Sequence, residues 1–170
     1  TGAEADSGDG AGVLIQVPDR FLRGVVPFEL PGVGSYAVGL GFLPADATDA
    51  EKAQGAIESI IADEGLSLLG WRAVPVRPDC LGRTARAVMP SFQQLFVAEP
   101  SGAAGIELDR KLFVVRKRIE HELPAEQRTY FPSLSSRTLI YKGMFTTPQL
   151  ADFFVDLGDE RVESALALVH

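Results

Sequence analysis

The chain has 170 residues, of which 46% are hydrophobic and 23% charged, and its 16 basic and 23 acidic side chains give a formal net charge of −7. This composition is that of one soluble globular domain, and its negative charge argues against nucleic acid as a partner. The apolar runs are too short for a membrane span, and the single cysteine, Cys80, excludes an internal disulfide and fits a reducing compartment, so we expect a cytoplasmic protein.

Hydrophobic periodicity and turn residues predict strands interspersed with two long helices. The predicted strands are 11–17, 35–43, 66–76, 92–98, 130–133, 138–144 and 165–170. The predicted helices are a short one led by Pro18, a long one from Thr48 to Gly65, a short one at 83–89, a long one at 107–122 and a short one led by Pro148.

Three local details sharpen this prediction. Thr48 and Glu51 have the spacing of a capping box at the start of the first long helix. The strands 130–133 and 138–144 face each other in sequence around a Ser-Ser turn, and the apolar run 165–170 is typical of a buried strand. The alternation is too irregular for a doubly wound parallel sheet, which favours an α+β fold with stacked sheets.

An acidic, glycine-rich loop leads into the first strand and supplies the candidate substrate-loop residues Gly8, Asp9 and Gly10. Asp6 and Asp9 lack the alternate-position ligands of a calcium loop, and no Lys-Ser/Thr pair follows to make a phosphate cradle. Glycines permit crowded backbone, and loops at strand ends often hold substrates. A shaped turn at a ligand site and a plain surface turn both remain open.

The residue types that carry catalysis do not form a complete set. Thr1 is a nucleophile if the mature chain begins there, because its own amine can act as base, but it is otherwise only a first residue. Cys80 fits a small, half-buried side chain better than a reactive thiol. His121 matches a helix C-terminus, and His170 matches a core or edge position. Lys142 faces either a carboxylate in a site or a surface ion-pair partner. No His or Cys spacing supports zinc, so we predict neither a catalytic residue nor a metal site.

Three segments together resemble one family. Residues 1–17 read TGAEADSGDGAGVLIQV, residues 135–150 read SSRTLIYKGMFTTPQL, and residues 159–170 read DERVESALALVH. In this order they resemble the glutaminase (class II glutamine amidotransferase) domain of the glutamate synthase large subunit. The resemblance implies a four-layer αββα N-terminal-nucleophile hydrolase sandwich with antiparallel sheets, of which residues 1–170 would be a partial domain, incomplete at both ends.

The resemblance also implies an activity. In this family an N-terminal cysteine attacks the side-chain amide of glutamine, its own amine serves as base, and the ammonia is passed on to 2-oxoglutarate. The parent enzyme implies FMN and an iron–sulfur cluster, with electrons from ferredoxin or from NADPH through a flavin-bearing small subunit. We expect none of these cofactors in this segment. The expected partners are glutamine, the remaining domains of the large subunit and that small subunit, with no nucleic acid and no membrane.

Departures from the family pattern limit what can be transferred to this chain. The family's nucleophilic cysteine lies upstream of Thr1, and its substrate-binding arginine follows the Val-His pair that ends at His170. We therefore transfer no catalytic residue, and we expect the segment alone to be inactive as a glutaminase. Two alternatives remain: a mature N-terminal-threonine hydrolase that uses Thr1, and a non-catalytic scaffold or binding module of the same fold.

Overall fold

The computed structural model describes residues 10–125 and 128–170. Its strands are β1 Ala11–Gln16, β2 Tyr36–Leu43, β3 Ser67–Ala73, β4 Ser91–Ala98, β5 Thr138–Gly143 and β6 Ala167–Val169. Its α-helices are α1 Asp19–Val25, α2 Ala47–Asp63, α3 Arg83–Ala87, α4 Ile106–Glu122 and α5 Thr147–Phe153, and short 3-10 helices lie at Pro78–Cys80 and Val155–Gly158. Both long helices predicted from hydrophobic spacing are present.

Two antiparallel sheets of three strands organise the fold. The first sheet has the order β5-β1-β6, and its central strand places Val13 opposite both Tyr141 and Val169. The second sheet has the order β2-β4-β3. The α+β class with antiparallel sheets expected from the sequence is therefore confirmed.

The core has two parts because β2 is buried on both faces. Val38 and Leu40 point toward the first sheet and belong to a cluster between the two sheets. Ala37 and Leu43 point the other way and meet the apolar stripes of α2 and α4. Helix, sheet and sheet are thus stacked in layers, as expected for strands and helices that each bury one face.

Two glycines of β2 allow a close approach at its free edge. The segment 130–135 runs along this edge through bridges between Phe42 and Tyr130 and between Val38 and Ser135. A Cβ atom on Gly39 would overlap the carbonyl oxygen of Ser133, and one on Gly41 would overlap a phenyl ring. These two glycines therefore leave the room that the segment 130–135 needs beside β2.

The predicted start of the first long helix is wrong by one or two residues. The helix begins at Ala47, and Asp46 is its N-cap, because its Oδ1 accepts a hydrogen bond from the Asp49 amide at 3.1 Å. Thr48 therefore lies inside the first turn rather than capping it. The predicted stop is confirmed, since Gly65 follows the helix with a φ of 70°.

The predicted pairing near the C-terminus is also wrong. Residues 130–133 form no strand with 138–144, since Tyr130 makes an isolated bridge to Phe42 and β5 pairs with β1 instead. The run 165–170 is not buried: β6 is a three-residue edge strand, and Leu168 is 58% exposed. The predicted strand 66–76 ends early, at Ala73.

None of the helices in the described part of the chain is long and apolar enough to cross a membrane.

Candidate functional site

A cleft of about 720 Å³ opens at one end of the first sheet, where its strands begin or terminate. The ends of three neighbouring strands meet there: β1 starts at Ala11, and β5 ends at Gly143. His170, which follows β6, exchanges backbone hydrogen bonds with Gly12 at 2.9 and 3.1 Å. Phe42 and other side chains of the second sheet close the opposite wall. This volume is in the range of small-molecule sites.

Basic groups mark the polar part of this mainly apolar cleft. Arg128, Lys142 and His170 line it, although the chain as a whole carries a net charge of −7. The Lys142 ammonium lies 5.7 Å from the centre of the Tyr130 ring, a cation–π contact. Lys142 stands opposite Gly12, where a Cβ atom would come within 2.8 Å of the lysine Cβ, so glycine leaves room for the lysine stem.

The predicted substrate loop reaches the cleft through Gly10. Its φ of 134° is in the region that favours glycine, and it lines the opening next to the start of β1. Thr1, Gly8 and Asp9 lie outside the described residues. The role of Gly8, Asp9 and Gly10 in holding a substrate stays a prediction.

The other sequence candidates do not assemble into a catalytic group. The Cys80 thiol donates a hydrogen bond to the Arg77 carbonyl at 3.1 Å, and burial raises its pKa, which disfavours the reactive thiolate. His121 is exposed in the last turn of α4, the position expected for a helix-terminal cation. His170 lies exposed at the sheet edge rather than in the core.

A closed ring of buried polar side chains lies behind the cleft. Arg72 of β3 binds Asp156 through two hydrogen bonds of 2.7 Å and donates to Gln94 of β4, also at 2.7 Å. Tyr141 of β5 donates to Asp156 at 2.9 Å and accepts from Gln94 at 2.9 Å. Burial, followed by the Asp156 carboxylate, raises the pKa of Tyr141 well above its usual value. The ring joins the two sheets through their interior.

Sequence reasoning missed this ring. Arg72 and Asp156 are 84 positions apart, so no local spacing connects them. The one available signal was the Gln93-Gln94 pair in the otherwise apolar strand 92–98, because a buried polar group must find a hydrogen-bond partner.

A second polar anchor fixes the turn that precedes β5. Asp109 of α4 accepts hydrogen bonds from the Ser136 amide at 2.6 Å, the Ser135 hydroxyl at 3.1 Å and the Arg137 Nε at 2.9 Å. Partial burial opposes ionisation, but these hydrogen bonds hold the pKa of Asp109 below its usual value. The turn carries the chain from the edge of the second sheet, where Ser135 bridges to Val38, to β5 of the first sheet.

Within residues 10–125 and 128–170, no group of three His, Cys, Asp or Glu side chains is arranged to hold a metal ion.

Comparison with known proteins identifies the family. Residues 1–170 match the family model described as glutamine amidotransferases class-II. The chain is 39% identical over 178 residues to ferredoxin-dependent glutamate synthase 1 of Arabidopsis thaliana. It is 40% identical over 172 residues to the glutamate synthase [NADPH] large chain of Bacillus subtilis, and 38% over 174 residues to that of Azospirillum brasilense. Each alignment covers 99% of this chain and 11% of the relative, so the chain spans a small part of their length. The chain belongs to the class II glutamine amidotransferase family.

Proposed function

We propose that this chain is part of the glutamine-hydrolysing domain of a glutamate synthase large chain. In this proposal glutamine yields glutamate and ammonia, and the ammonia is added to 2-oxoglutarate. The similarity to glutamate synthases over 99% of the chain supports the assignment, as does the family match over residues 1–170.

The structural observation that carries the proposal is the cleft at the end of the first sheet. Its volume of about 720 Å³ accommodates an amino acid, and Gly10 brings the predicted substrate loop to its rim. Arg128 and Lys142 provide positive charge that favours a substrate carboxylate. An apolar cleft with a few charged groups is the usual form of a site that orients a small polar substrate.

In this proposal the residues that line the site and the residues that carry out catalysis come from different parts of the parent enzyme. By resemblance, the nucleophilic cysteine lies upstream of Thr1 and the substrate arginine follows His170, while the described residues supply the cleft. Cys80 does not replace that nucleophile, because its thiol is hydrogen-bonded to a carbonyl and its pKa is raised. We therefore expect residues 1–170 alone to be inactive as a glutaminase.

The same proposal assigns the redox chemistry to other parts of the parent enzyme. FMN, the iron–sulfur cluster and the flavin-bearing small subunit would belong to regions outside this segment, in a cytoplasmic enzyme that carries out a net oxidoreduction in nitrogen assimilation. Two relatives that match it with 39% and 40% identity are named for ferredoxin and for NADPH, so both electron donors belong in the assay.

The test is an ammonia assay on two samples. The complete protein should release ammonia from glutamine and, with 2-oxoglutarate and reduced ferredoxin or NADPH, should form glutamate. The 170-residue chain should release no ammonia above the buffer rate.

Each alternative has its own outcome in this assay. Ammonia from the isolated chain that disappears in Thr1→Ala would identify an N-terminal-threonine hydrolase, and loss in Cys80→Ala would identify a cysteine nucleophile. A folded complete protein that leaves glutamine intact would contradict the proposal and favour a non-catalytic module of the same fold.

A further inference from the structure

We infer that the buried ring of Arg72, Gln94, Tyr141 and Asp156 is a positioning network that holds the walls of the cleft in the geometry that glutamine requires. This inference rests on the proposed function. It concerns residues that do not touch the substrate and act on it through the strand and the aromatic side chains beside them.

The ring is closed and belongs to both sheets. Each of its four members is hydrogen-bonded to two others, at distances between 2.7 and 2.9 Å. Gln94 and Tyr141 are 0% exposed and Asp156 is 3% exposed, so water does not compete for these bonds. Because hydrogen bonds in a low-dielectric interior are strong and directional, the ring sets one spacing between β5 and the second sheet.

The first connection to the cleft runs along β5. Tyr141 lies between Ile140 and Lys142, and both of these residues line the cleft. Across the sheet Tyr141 stands opposite Val13 of β1, which also lines it. A shift of Tyr141 would therefore move the strand that carries the lysine at the mouth of the cleft.

The second connection runs through aromatic rings. The Tyr141 ring packs edge-on against Phe154, with 5.0 Å between the ring centres, and Phe154 packs edge-on against Phe92 at 5.3 Å. Phe92 lines the cleft, as does Phe153, whose ring centre is 4.9 Å from that of Phe154. Phe154 directly precedes the 3-10 helix that contains Asp156, so one anchor holds both the helix and the aromatic wall.

Net stability does not explain the ring. A buried ion pair is often no more stabilising than apolar side chains of similar volume, because removing two charges from water is costly. Apolar packing, however, tolerates small shifts between layers, whereas the paired hydrogen bonds of Arg72 and Asp156 fit in one arrangement. The benefit of the ring is therefore geometric.

Tyr141→Phe tests this inference, and Tyr36→Phe is its matched control. Both tyrosines are at most 1% exposed and both hydroxyls donate to an aspartate at 2.9 Å, but Tyr36 binds Asp19, and its neighbours Ser35 and Ala37 do not line the cleft. In the complete protein, Tyr141→Phe removes two hydrogen bonds, to Asp156 and from Gln94, and should raise the KM for glutamine about 3- to 10-fold, with kcat changed less than about twofold. Tyr36→Phe should leave the KM unchanged.

A readout independent of catalysis accompanies the kinetics. Thermal unfolding confirms that both variants fold, and hydrogen–deuterium exchange then follows the amides of Thr138–Gly143. These amides should exchange faster in Tyr141→Phe than in Tyr36→Phe. Equal KM values for the two folded variants, or equal exchange at β5, would overturn the inference.

Failure of the proposed function gives a different result. In that case the wild-type protein does not hydrolyse glutamine, and no variant has a KM to compare. Faster exchange in Tyr141→Phe would then show that the ring anchors β5 but has no role in glutamine binding. Unchanged exchange would show that the ring does not anchor β5 either.

Discussion

Removal of the Asp156 carboxylate should be among the most damaging single changes in this fold. Its side chain is 2% exposed, and the Arg72 side chain that it binds is 10% exposed. In Asp156→Ala the guanidinium stays buried without its bidentate partner, and the Tyr141 hydroxyl loses its acceptor. Breaking a buried ion pair in this way costs about 3–5 kcal/mol. Since domains are stable by about 5–15 kcal/mol in total, the variant should fold only marginally.

The measurement is urea unfolding of the 170-residue chain, followed by the fluorescence of its single tryptophan, Trp71. Trp71 reports on the folded state because its indole N–H donates to Glu58 at 2.9 Å and its ring packs near Phe131. With a slope of about 2 kcal/mol per M urea, a loss of 3–5 kcal/mol lowers the midpoint by about 2 M.

A double variant separates the unpaired charge from the lost contact. Arg72→Met combined with Asp156→Leu removes both charges and keeps most of the volume, so it should recover much of the stability that Asp156→Ala loses. A cost below about 1 kcal/mol for Asp156→Ala would refute the reasoning. The reasoning is also refuted if the double variant loses as much free energy of unfolding as Arg72→Met and Asp156→Leu lose together, because additive losses mean that the two side chains are not coupled.

Three further predictions concern single positions. Gly39→Ala should lower the free energy of unfolding by about 1–3 kcal/mol, since its Cβ would overlap a backbone carbonyl. Gly55→Ala in α2 should raise it by about 1 kcal/mol, because a Cβ there has no atom within 4 Å and alanine favours the helix. Urea titrations of both variants measure these opposite changes in the free energy of unfolding. Hydrogen bonds, of which the one from a lysine of α4 has the largest effect, lower the pKa of Glu99 to about 2. The ionised carboxylate therefore stabilises the fold above the usual carboxyl pKa, and this stabilisation is lost as the pH falls toward 2. Glu99→Gln should therefore flatten the decrease in Tm between about pH 5 and pH 2. Asp46→Ala should cost about 1 kcal/mol in thermal unfolding and Thr48→Ala much less, and equal costs would contradict the assignment of Asp46 as the cap.

The regular elements were predictable because their signals are local. The apolar spacing of α2 and α4 places residues such as Ile57 and Leu112 on one buried face, and the structure buries both. Strand pairing is not local. The sequence offered 130–133 as a partner for β5, but β5 pairs with β1, and the intervening turn is held by Asp109, 27 positions before Ser136.

Part of the cleft lining was predictable to the same extent. Gly10 directly precedes the first strand and Lys142 lies near the end of β5, and the structure places both at the cleft. The ring behind the cleft was not predictable, because its members come from four elements and no repeat relates them. Its tyrosine and its aspartate are 15 positions apart, on either side of α5.

The two edges of the first sheet are held very differently. β5 is fixed from the interior, where Tyr141 belongs to a closed ring of buried hydrogen bonds. β6 pairs with β1 over three residues and is exposed throughout, and the chain before it is held by Gln16, whose amide donates to the Ser164 hydroxyl at 2.9 Å and whose side chain accepts from the Ala165 amide at 3.0 Å. Of the two strands that flank β1 at the cleft, β5 is therefore the one that buried side chains hold in place, which is why Tyr141 is the position at which the geometry of the site is tested.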